Sequence, residues 1–73
     1  MNNVTDLVYL IQDVLELPIA EQDINTPFDQ LGGWDSLGLL RLITSIEIRT
    51  GKKVSVLSML QARNIKDIYE SIQ

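Results

Sequence analysis

Apolar side chains recur at Val4, Leu7, Val8, Ile11, Val14 and Leu15. Steps of three and four residues trace one face of an amphipathic helix of about four turns, which Pro18 is expected to end. Between residues 18 and 35 no period is sustained, and Pro18, Pro27, Gly32 and Gly33 mark a long connection. Thr26-Pro27 is suited to open one short helical turn within it. Loops longer than about 12–15 residues without structure of their own are uncommon and often functional. Ile24, Phe28 and Leu31 are expected to hold this one against the core.

A second helix is predicted from Ser36, because Asp35 and Ser36 offer side-chain oxygens to the unpaired amides of a helix start and the apolar pattern resumes at once. Gly51 is expected to stop it. The segment from Val54 to Ala62 suits one or two helical turns. Asn64 then caps a last helix in which Ile65, Ile68, Tyr69 and Ile72 keep the helical spacing, with Asp67 three residues after the cap. Strand alternation occurs only in the stub Val54-Ser55-Val56, too short for a sheet. The predicted class is all-α: a small four-helix bundle of three main helices and one short helix, with a long loop between the first and second.

The second helix carries more apolar surface than one core needs. At about 100° per residue, Leu39, Leu42, Ile43 and Ile46 fall on one side and form the expected core face. Leu37, Leu40, Thr44 and Ile48 gather on the other, with Arg41 beside them. Either the last helix or the long loop covers this second stripe, or it is a surface for a partner.

Composition removes most catalytic chemistries. The 73 residues contain no cysteine and no histidine, which excludes cysteine nucleophiles, Ser-His-Asp triads, Cys/His zinc sites and disulfides. A chain this short buries only about 60% of its extended surface, little for an enclosed active site. A cysteine-free chain suits a reducing cytoplasm. No apolar run reaches the roughly 18–20 residues of a membrane span, and Met1-Asn2-Asn3 lacks the basic start of an export signal. The expectation is one domain over residues 1–73, monomeric, cytoplasmic and apart from membranes. The net charge of −4 argues against nucleic acid. Charge is also divided along the chain: residues 1–40 hold seven acids and no base, and all six bases follow. The acidic half could meet a basic partner or simply keep a small protein in solution.

The most distinctive segment is Leu31-Gly32-Gly33-Trp34-Asp35-Ser36-Leu37. A serine at a helix start is ordinarily a cap. Here two glycines allow close approach to its hydroxyl, and a phosphate on it would face the positive end of the helix dipole. Together with the helix, long loop, helix layout, these residues resemble the acyl and peptidyl carrier proteins over essentially the whole chain. Asp35-Ser36-Leu37 matches the carrier attachment motif, and Leu31-Gly32-Gly33 is closer to peptidyl carriers.

The resemblance implies a 4'-phosphopantetheine arm joined to Ser36 by a phosphopantetheinyl transferase, with coenzyme A as donor. It implies Asp35 near the transferase's metal during loading, although helix N-terminal charge is an equally good role for Asp35. Leu37, Leu40, Arg41, Thr44 and Ile48 match positions read by partner enzymes in the family: a loading enzyme, which would be an adenylating ligase or acyltransferase, and downstream synthase or tailoring enzymes. Met59 either joins that surface or packs in the core. Trp34 either anchors the loop or contacts the arm or a partner.

The second helix contains a single acid, Glu47, where carriers of fatty-acid synthesis are strongly acidic. That favours a discrete, non-catalytic carrier of acyl or aminoacyl thioesters in polyketide, nonribosomal peptide or related specialised metabolism. The alternatives are a fatty-acid carrier and a helical interaction module without a prosthetic group. A nucleophile elbow is excluded because Trp34 stands where glycine is required and no histidine can serve as base. Neither glycine pair continues as a phosphate-binding loop.

Overall fold

The structure, a computed structural model, describes residues 2–72. Its described residues form four α-helices and two 3-10 turns, with no strand. Helix α1 spans Val4–Leu15. Asn3 caps it, its side chain accepting from the Asp6 amide at 3.0 Å. The helix ends three residues short of Pro18. Proline disfavours helical backbone at the residue before it, and the chain leaves the helix through Glu16, whose φ of 55° is left-handed. The Gln12 side chain bonds the Ile19 carbonyl and folds the departing strand of chain back along α1.

The long connection is more ordered than its sequence pattern indicates. One short turn is expected; two occur, Glu21–Asp23 and Phe28–Gln30, the second opened by Pro27. A three-residue turn is too short to leave a hydrophobic period, which is why the first is invisible in the sequence. Asp23 pins that turn, its carboxylate accepting from the Ala20 amide at 2.9 Å. Two backbone bonds tie the loop to the far end of the chain: Phe28 N–H to the Arg63 carbonyl and Lys66 N–H to the Ile24 carbonyl, both at 3.0 Å. Ile24, Phe28 and Leu31 are half-buried against the core, as their apolar character predicts.

Helix α2 spans Ser36–Thr50 and ends at Gly51, whose φ of 71° suits glycine and whose amide bonds the Glu47 carbonyl at 2.8 Å. The Glu47 carboxylate accepts from the Val54 amide at 2.9 Å and so fixes the turn into the next helix. Helix α3 spans Val56–Gln61, capped by Ser55. Helix α4 spans Ile65–Ser71; Asn64 accepts from the Asp67 amide at 2.8 Å, and the Asp67 carboxylate accepts from the Arg63 amide.

Helix α1 packs on α2 and α4, and α3 lies across α2 and α4. Leu7, Ile11, Leu42, Ile46, Met59, Ile65 and Ile68 are sealed between them, and no polar side chain is buried among the described residues. Leu39, Leu42, Ile43 and Ile46 form the inner face of α2, the side assigned to the core by periodicity. No described helix is long and apolar enough to cross a membrane.

Candidate functional site

The tip of α2 is assembled from the last turn of the loop inward. Gly33 has φ 86°, a conformation open to glycine, and a Cβ there would lie 2.7 Å from Leu17 Cδ2. Asp35 is extended and is the cap of α2: its Oδ1 accepts from the Gly38 amide at 2.7 Å. Ser36 is therefore the first helical residue rather than the cap. Its side chain is exposed, and the usual capping task of a serine at a helix start has passed to its neighbour. Gly38 explains itself here as well. A Cβ on it would sit 3.2 Å from Asp35 Oδ1 and 3.4 Å from Leu15 Cδ2, so glycine lets the cap and the end of α1 close on α2.

Trp34 is half-buried and stacks on Phe28, ring centroids 4.0 Å apart and planes within 7°. It anchors the loop, the first of the two roles open to it in the sequence. The same two rings, with Leu60 and Ala62, line a cleft of about 230 Å³ that Ser36 also lines. Trp34 thus has a loop-anchoring contact and a place beside the serine at once.

The second apolar stripe of α2 is uncovered. Leu37 is 69% exposed, Leu40 53% and Ile48 79%, and Arg41 and Thr44 are exposed between them. Arg41 also has a structural task absent from the sequence reading. Its guanidinium donates to the Val14 carbonyl at 2.9 Å, answering the negative end of α1. Thr44 donates its hydroxyl to the Leu40 carbonyl in its own helix.

Met59 does not belong to this surface. It is 1% exposed, and Ser71 Oγ lies 3.6 Å from its sulfur. A short helix laid over α2 and α4 must send one side chain inward, and unbranched methionine fills such a gap well. The exposed apolar residues of α3 are instead Val56, Leu57 and Leu60. Their signal was present in the sequence as an apolar density too high for six helical residues to bury on one side.

An exposed hydroxyl at the positive end of a helix, reached through a glycine-containing turn, suits a phosphodiester. The first-turn amides have no acceptor within the helix, and the dipole favours added negative charge. A family model, described as a phosphopantetheine attachment site, matches residues 5–72. The chain belongs to this family. As a member it is a carrier protein that binds phosphopantetheine, held covalently. Carrier domains work with phosphopantetheinyl transferases and with partner enzymes, and are in general non-catalytic. No curated protein and no solved structure gives a match.

The residues present fit the group. Ser36 is exposed, the cleft beside it combines aromatic and aliphatic side chains with polar surface, and no acidic side chain other than Asp35 lines that cleft.

Proposed function

We propose that Ser36 Oγ carries the 4'-phosphopantetheine and that the chain is a monomeric acyl or aminoacyl carrier of specialised metabolism, working in the cytoplasm where coenzyme A is supplied. In loading, Ser36 Oγ attacks the pantetheine-bearing phosphorus of coenzyme A. A phosphodiester forms, adenosine 3',5'-bisphosphate leaves, and the hydroxyl proton passes to the transferase or solvent. The bound arm supplies a terminal thiol for thioester formation, a group that this cysteine-free polypeptide lacks.

The observation that carries this reading is the division of labour at the helix start: Asp35 caps, and Ser36 stands exposed beside it. Asp35 uses one carboxylate oxygen on the Gly38 amide, so its second oxygen is available toward a metal held by the transferase. The uncovered stripe Leu37, Leu40, Arg41, Thr44 and Ile48 is the surface offered to partner enzymes. Its lack of exposed acids supports a polyketide, nonribosomal peptide or related pathway over fatty-acid synthesis.

Incubation with coenzyme A and a broad-specificity phosphopantetheinyl transferase tests the assignment by intact mass. The expected result is a gain of one phosphopantetheine in the wild-type chain and none in Ser36→Ala. An unchanged wild-type mass would favour an interaction module without a prosthetic group. An adduct that persists in Ser36→Ala would move the attachment to another serine.

A further inference from the structure

We propose that the α2–α3 face docks a loading enzyme through an apolar patch rimmed by carboxylates, the opposite of what the chain's net negative charge invites. This rests on the carrier reading above and adds the chemistry of the partner.

From Ser36 to Gln61 the chain holds four bases, Arg41, Arg49, Lys52 and Lys53, and one acid, Glu47. That acid is turned to internal use, its carboxylate accepting from the Val54 amide in a half-buried position. The four bases are all exposed. Arg41 touches a neutral carbonyl, so its positive charge is oriented without being neutralised. The other nine acids lie away from this stretch except for Asp35, which caps α2: Asp6, Asp13, Glu16, Glu21, Asp23 and Asp29 are on α1 and the loop, and Asp67 and Glu70 are on α4.

The apolar part is equally definite. Leu37, Leu40 and Ile48 run along α2, and α3 adds Val56, Leu57 and Leu60, with Leu60 placed at the cleft beside Ser36. At the far end of α2, Ile48 and Thr44 meet Lys52 and Lys53 around an open cleft of about 290 Å³ that the half-buried Glu47 also lines, its carboxylate held by the Val54 amide. An apolar side chain laid on Ile48 with a carboxylate reaching the two lysines would satisfy both walls. Exposed charges of this kind steer encounter and fix orientation more than they add affinity, while the apolar centre supplies most of the binding. Polyanions such as nucleic acid are disfavoured by the net charge of −4, which acts at longer range than this local patch. The acidic α1 of a second copy is the competing occupant.

The test reads the chain isolated from the cells it comes from, by intact mass, which separates unmodified, phosphopantetheine-bearing and cargo-bearing forms. In the variant Arg49→Glu/Lys52→Glu/Lys53→Glu, the cargo-bearing share of the phosphopantetheine-bearing protein should fall about tenfold, as expected when steering charges are reversed. In Asp13→Asn/Glu21→Gln it should stay at the wild-type value. Wild-type loading in the lysine and arginine variant would overturn the proposal, as would loss of loading in the acid-neutralised one. Concentration-dependent dimerisation of the wild type in sedimentation, abolished by the same triple reversal, would assign the face to a second copy instead. Absence of phosphopantetheine from the wild type would be a different failure, that of the carrier reading itself.

Discussion

Gly32 and Gly33 are neighbours with different obligations. Gly33 sits at φ 86°, whereas Gly32 has no such requirement and a Cβ on it would meet nothing within 4 Å. Gly33→Ala is expected to lose about 1–3 kcal/mol, chiefly from left-handed backbone, since the contact with Leu17 is with the mobile end of a side chain. Gly32→Ala should unfold in urea at or above the wild-type midpoint. Asp35 can be dissected in the same way. Asp35→Ala removes the cap and should cost about 0.5–2 kcal/mol, while Asp35→Asn keeps an accepting oxygen and most of the stability. A slow transferase reaction on folded Asp35→Asn would isolate the carboxylate's part in loading; wild-type kinetics there would leave it a cap alone. At this scale the sequence was legible as far as residue type. That oxygens would cap the helix could be read from Asp35-Ser36, but which of the two does so depends on backbone angles that no pattern encodes.

Among the elements, α2 was the most readable because a fifteen-residue helix gives periodicity room to act. Both its faces emerged from 100° steps, and the buried one makes a direct prediction. Leu42 and Ile46 are wholly buried, so alanine at either should cost about 2–5 kcal/mol in chemical denaturation. Loss of less than about 1 kcal/mol at both would mean that the helix faces are misassigned. The shorter elements were harder to read. In α3, six residues rich in apolar side chains do not reveal which one turns inward, and Met59 proved to be that residue. The end of α1 and the contact from Arg41 to the Val14 carbonyl depend on how two helices meet, which sequence spacing does not contain. Arg41→Ala should therefore lower stability modestly, by about 0.5–1.5 kcal/mol, as well as alter the outer face. A full-stability Arg41→Ala protein would show that the bond to α1 contributes nothing.

Over the whole molecule, the loop from residue 16 to 35 works as a strap rather than a linker. It is bonded to the α3–α4 connection at Phe28 and to α4 at Lys66, and its stacked Phe28 and Trp34 rings wall the cleft beside Ser36. The long connection and its packing residues were legible in the sequence; the partners of its backbone were not, because they lie at the other end of the chain. Since Trp34 is the single tryptophan, its emission should report the state of the site. Conversion of Ser36 to the phosphopantetheine-bearing form should shift or quench that emission, with Ser36→Ala unchanged by the same treatment; identical spectra before and after loading would put the arm away from the indole. The division of charge between an acidic α1 with its loop and a basic α2–α3 segment is likewise a whole-molecule property, visible in the sequence as two unequal halves and given a face by the fold.

The central claim concerns a single oxygen, and trypsin makes it accessible. The first lysine or arginine is Arg41, so the amino-terminal fragment runs from residue 1 to 41 and contains one serine, Ser36. After loading with coenzyme A and a transferase, mass spectrometry of the digest should find the whole phosphopantetheine adduct on that fragment. Finding it on a fragment bearing Ser45, Ser55, Ser58 or Ser71, or on none, would contradict the account.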